Sequence, residues 1–129
     1  MSAKDIVEAG IKLRAAIVET FDEIGRGGKL SYTNDIKTSI IPYISAGMTF
    51  EESESVLRAA GFVVRPHPGA REEQDPNRSI DWYAVHAQMP DFPRRILGKI
   101  DVHVTLYPNS PGDYTTVKDV DAEIFVTTL

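Results

Sequence analysis

Thr49-Phe50-Glu51-Glu52 and, nine residues later, Gly61-Phe62 write both ends of one helix into the chain and mark where its hydrophobic period changes. The Thr49 hydroxyl can accept from the Glu52 N–H while the Glu52 carboxylate reaches back to the Thr49 N–H, a reciprocal capping box. At the far end, Gly61 can take the left-handed conformation and let Phe62 fold back onto Leu57. Before this point apolar residues recur at helical spacing; after it they alternate. That pattern predicts helices first and a sheet second, an α+β domain. No comparable signature announces a catalytic site.

Upstream, Ile6, Leu13, Ile17, Phe21 and Ile24 recur every three or four residues among Lys, Arg, Glu and Asp. They predict an amphipathic helix from Ala3 to about Ile24, ended by Gly25-Arg26-Gly27-Gly28. Gly10 falls in the apolar stripe and would permit a close approach to whatever the helix packs on. Between Tyr32 and Ala46, Asn34 or Thr33 could cap a short helix through Ile36, Ile40 and Ile41. Pro42 disfavours a helical residue before it, so this helix should stop near Ile41.

Downstream, Phe62 to Arg65 reads as a strand, and His67 to Arg78, dense in Pro, Gly and charge, reads as a loop. Ser79 to Ala87 is a second expected strand. Ile100, Val102, Val104 and Leu106 alternate with Asp101, His103, Thr105 and Tyr107 in a third. After the turn signal of Pro108 to Asp113, Val120, Ala122, Ile124 and Val126 alternate with Asp121, Glu123, Phe125 and Thr127 in a fourth. Strands of this kind belong to an antiparallel sheet with one covered and one wet face. The expected fold is therefore N-terminal helices packed on one face of a four-stranded antiparallel sheet. Residues 1–129 form one domain, with 1–60 helical and 61–129 in the sheet.

Composition narrows the function classes. The formal net charge of −5 and the scattered Lys and Arg, adjacent only at Arg94-Arg95, argue against nucleic acid as a partner. The lack of cysteine removes disulfides, thiolate nucleophiles and Cys-based zinc sites. Acidic residues interrupt the N-terminal segment where a secretory signal needs an apolar core, and no run reaches the roughly 20 apolar residues of a membrane span. The expected location is the cytoplasm, with no membrane partner.

His67, His86 and His103 form no i, i+4 helical pair, so a structural or exposed role is expected, with no metal and no cofactor. The serines lack a nucleophile elbow, and Gly25 to Gly28 lacks the strand–loop–helix context and terminal Lys-Ser/Thr of a phosphate loop. No catalytic residue is assigned. The wet sheet positions are more informative: Tyr83, His103, Tyr107 and Phe125 interleave with Asp81, Asp101, Asp121 and Glu123. Aromatic bodies with polar rims suit a protein-binding patch, although cross-strand aromatic pairs also stabilise a sheet without any partner. The candidate binding residues are Tyr83, His103, Tyr107, Glu123 and Phe125. Trp82, of opposite parity, is expected in the core.

Ile44-Ser45-Ala46-Gly47-Met48-Thr49-Phe50-Glu51-Glu52, leading to Leu57 and Gly61-Phe62, resembles the small α+β proteins of the SmpA/OmlA lipoprotein type. Those share a helix–helix–sheet layout with the β-lactamase inhibitor proteins. The resemblance covers about residues 36–65 by motif and the remainder by pattern. This chain has no cysteine to lipidate, so the lipoproteins' outer-membrane assembly role is not carried over. The resemblance implies a non-catalytic scaffold that binds other proteins through its sheet face and loops. The resulting expectation is a small acidic inhibitor or immunity-type protein with a basic protein partner; self-association is left open. The alternative is a small-ligand-binding or hydrolytic domain with a pocket around Tyr83, His103 and Glu123.

Overall fold

The computed structural model describes residues 2–65, 84–110 and 112–127. Its elements run α1 (Ala3–Arg26), β1 (Thr33–Asp35), α2 (Lys37–Ile40), α3 (Phe50–Ala59), β2 (Val63–Val64), β3 (Val85–Met89), β4 (Lys99–Ser110) and β5 (Asp113–Thr127). The strands form one antiparallel sheet in the order β1-β5-β4-β3-β2.

Helix α1 buries Gly10, Leu13, Ile17 and Phe21. It opens with a capping box at Ser2, whose hydroxyl accepts from the Asp5 N–H at 3.2 Å while the Asp5 carboxylate accepts from the Ser2 N–H at 3.2 Å. Gly10 sits where α1 crosses the end of α3: a Cβ there would lie 2.5 Å from the Ala59 Cβ and 2.7 Å from the Ala59 carbonyl carbon. No side chain fits without moving one of the helices.

Helix α3 starts and stops as its sequence dictates. The Thr49 hydroxyl accepts from the Glu52 N–H at 3.0 Å. The Glu52 carboxylate then accepts from that same hydroxyl, at 3.0 Å, where the reciprocal box would have it take the Thr49 N–H. At the other end Gly61 has φ 98°, its N–H donates to the Arg58 carbonyl, and the Phe62 N–H donates to the Leu57 carbonyl, both at 3.0 Å. This is the Schellman pattern. Arg14, reaching across from α1, donates to the Ala60 carbonyl at 3.2 Å and so ties the two helices at the cap.

In β4 and β5 the alternating residues Val102, Val104, Leu106, Val120, Ala122 and Ile124 are buried, and they join the helix side chains Leu13, Ile17, Phe50, Val56 and Leu57 in one core. The helices therefore cover one face of the sheet.

Among the described residues the expected four strands become five. Thr33 and Asn34, read as candidate helix caps, lie in β1, which pairs with β5 through Thr33↔Phe125, Asn34↔Ile124 and Asp35↔Glu123. The Asn34 side chain, buried, accepts from the Ser31 N–H and donates to the carbonyls of Ser31 and Ile124. Asp35 performs the turn into α2 instead, accepting from the Lys37 N–H at 2.8 Å. The hairpin is also longer than the alternation indicates, continuing through Pro108 with a register shift between Tyr107 and Ser110. Tyr83, Trp82, Asp81, the segment from His67 to Arg78 and the start of the second expected strand lie outside the described residues.

Candidate functional site

The wet face is built by the parity of β3, β4 and β5. On β4, Asp101, His103, Thr105 and Tyr107 stand opposite Phe125, Glu123, Asp121 and Asp119 of β5. Because side chains alternate along a strand, all eight project from the face away from the helices. His86 and Gln88 of β3 extend it, opposite Thr105 and His103. On the far side Thr33 and Asp35 of β1 stand beside Phe125 and Glu123.

His103 is the centre of this surface. Its ring meets Phe125 edge-on, with centroids 5.0 Å apart and planes at 88°. Glu123 lies directly opposite it across β5, and Gln88 directly opposite across β3. The structure thus brings His103, Glu123 and Phe125 together. It does not add Tyr107, which lies four residues further along β4, about 14 Å away at strand rise. Tyr83 lies outside the described residues.

The acids of the face differ in how far they are answered. Asp101 accepts from the Gln88 amide at 3.2 Å and has Lys99 at 3.7 Å. At the other end Lys37 of α2 donates to Asp119 at 3.0 Å and lies 4.0 Å from Asp121. That hydrogen bond, reinforced by the Val120 N–H, holds the Asp119 carboxyl below the usual carboxylate range. The same bond raises Lys37 above the ordinary lysine value.

Sequence reasoning missed Lys37, Gln88 and Asp119 as parts of this surface. Gln88 shares the parity of His86, a readable signal. Lys37 reaches the face only because β1 delivers α2 to the edge of β5, and no local pattern carries that information. Among the described residues no three His, Asp or Glu side chains are grouped to hold a metal ion. Cavities of about 440, 410 and 370 Å³ lie beside α1, within the loop Pro90 to Ile100, and among Leu30, Tyr32, Ile96 and Val126; none is lined by His103, Tyr107, Glu123 or Phe125. No helix among the described residues is long and apolar enough to cross a membrane.

No protein-family model, curated protein or solved structure matches this chain.

Proposed function

We propose that this chain is a non-catalytic protein-binding module, a small acidic inhibitor or immunity-type protein of the cytoplasm, whose contact surface is the open sheet face centred on His103, Glu123 and Phe125. The observation that carries the reading is the half-exposed His103–Phe125 pair. Two rings packed edge to face, flanked by Glu123 and Asp101, occupy positions where Ser or Thr would satisfy solubility. Aromatic anchors inside a polar rim are the usual composition of an interface centre. The acids on β4 and β5 favour a basic partner, since complementary charge accelerates encounter and rejects like-charged competitors. Tyr107 extends the surface along β4. The reading draws further support from the SmpA/OmlA-type resemblance, which implies a protein-binding scaffold.

The test is the double variant Tyr107→Ser, Phe125→Ser. Its thermal midpoint should stay close to that of the parent, while affinity for a partner captured by crosslinking and identified by mass spectrometry should fall by about 2 kcal/mol or more, roughly thirtyfold. A folded double variant that binds the same partner with unchanged affinity moves the surface elsewhere.

A further inference from the structure

We propose that the partner engages the open sheet face through an arginine side chain, laid on the His103–Phe125 pair and held between Asp101 and Glu123. The proposal rests on the sheet face being the contact surface and adds the chemistry of the group received there. Register puts four side chains at the corners of one square: Phe125 stands opposite Asp101, and Glu123 opposite His103, on the adjacent strands β5 and β4. The two rings take one diagonal and the two carboxylates the other. Diagonal neighbours on a sheet face stand about 7–8 Å apart, within reach of aromatic side chains. His103 and Phe125 close that gap, with centroids 5.0 Å apart and planes at 88°. An edge-on contact covers at most one ring face, where a parallel stack would cover two, so this pair retains aromatic surface to offer.

The surroundings of the square are acidic. Asp35 of β1 stands beside Glu123, so the carboxylates of Asp35, Asp101 and Glu123 all lie in the two rows that hold the rings. Among the described residues the base nearest these rows is Lys99, 3.7 Å from Asp101 and with its side chain 71% exposed. Lys37 is drawn to the other end of the face, where it donates to Asp119 at 3.0 Å. The Gln88 amide donates to Asp101 at 3.2 Å and steadies that carboxylate at its corner. A cation is the complement of such a place, and the form of the place selects which cation. On an open face a compact ammonium keeps its water and gains little from a ring. A guanidinium is planar and more weakly hydrated; it lies flat on an aromatic face and presents N–H groups from its edges to the carboxylates on either side.

Nuclear magnetic resonance titration decides the matter with capped peptides Gly-Ser-X-Ser-Gly, in which X is arginine, lysine or citrulline. The arginine peptide should shift the side-chain resonances of His103 and Phe125 and bind about threefold or more tighter than the lysine peptide. Citrulline, of the same shape without the charge, should not bind. Phe125→Leu should erase the preference for arginine over lysine, while Glu123→Gln and Asp101→Asn should each weaken both peptides. Lys99→Gln, which removes the resident rival for Asp101, should strengthen the arginine peptide. Glu123→Gln and Lys99→Gln alter groups on the open face, so they carry the test if Phe125→Leu fails to fold. Equal affinities of the parent for the arginine and lysine peptides overturn the proposal. So does an arginine preference that survives in folded Phe125→Leu, or one indifferent to both Glu123→Gln and Asp101→Asn. Each of these results leaves the sheet-face reading standing, because loss of the crosslinked partner in Tyr107→Ser, Phe125→Ser is measured without reference to arginine; unchanged partner binding by that variant removes both readings. Self-association of the parent that Phe125→Leu abolishes would overturn the proposal in favour of a second copy.

Discussion

The β4–β5 hairpin has two faces that share one backbone and differ in everything else. On the covered face Val102, Val104, Leu106 and Ile124 are fully buried among the helices. On the open face their sequence neighbours Asp101, His103, Thr105, Glu123 and Phe125 are half-exposed, with Asp101 accepting from Gln88 and His103 set edge-on to Phe125. Register explains the division of labour. A slip of one residue would carry every buried side chain into solvent, so the covered face fixes the pairing and leaves the open face free to carry chemistry. Stability and recognition can then be altered independently at adjacent positions.

That independence is sharpest at Leu106 and Thr105. Leu106 is fully buried, and Leu106→Ala should cost about 2–5 kcal/mol by lost transfer energy and residual cavity. Thr105→Ala, one residue away on the open face, should stay within about 0.5 kcal/mol. Urea midpoints of the two variants provide the check. Equal losses would mean that the open face is packed rather than free.

Next in size is Gly10, on the seam that holds the cover in place. Ala is the better helix former by up to about 1 kcal/mol, yet its methyl would sit 2.5 Å from the Ala59 Cβ. Overpacking typically costs about 1–3 kcal/mol, so Gly10→Ala should destabilise despite the gain in propensity. A rise in thermal midpoint would show that α1 and α3 part easily. Thr49→Ala comes third, at about 0.5–2 kcal/mol, because it removes the acceptor of the Glu52 N–H and the donor to its carboxylate. A denaturation midpoint unmoved by that change would mean that the start of α3 is held by its neighbours instead, where the Val117 N–H donates to the Met48 carbonyl.

The covered face was legible in the sequence because burial leaves a period. Leu13, Ile17 and Phe21 announced α1, alternation announced β4 and β5, and Gly61-Phe62 announced a C-cap that the structure reproduces bond for bond. Strand β1 was illegible for the converse reason. Thr33-Asn34-Asp35 is three polar residues with one inward side chain, and the carbonyl that Asn34 bonds lies 90 residues away. Such a strand is specified by its partner, not by its own propensity. Ser2 to Asp5 carries a capping signal of the same kind, a hydroxyl at the N-cap and a carboxylate three residues on. At the candidate site, parity placed His103, Tyr107, Glu123 and Phe125 on one face, but only the register put Glu123 opposite His103 and Asp119 opposite Tyr107. Lys37 enters through β1 and was hidden with it.

Lys37 also offers the smallest and most specific test of how loosely the open face is tied to the rest. Its bond to Asp119 joins α2 to β5 through solvent-accessible groups, so salt and water weaken it and its effect on stability should be slight. The pH dependence nevertheless has a definite sign. The Asp119 pKa is depressed in the folded state, so its contribution is present above the ordinary carboxylate value of about 4 and is lost as pH falls through the lowered one. The Lys37 pKa is raised, so its contribution is complete below the ordinary lysine value of about 10.4 and is lost as pH rises through the raised one. The stability gap between the parent and Lys37→Met should therefore form a plateau across neutral pH, shrink at both extremes, and diminish in high salt. Urea titrations at acid, neutral and strongly alkaline pH would test all three features. A gap that persists unchanged at both extremes would assign the Lys37 effect to packing of its aliphatic stem against β5, and would make this edge of the open face an extension of the core.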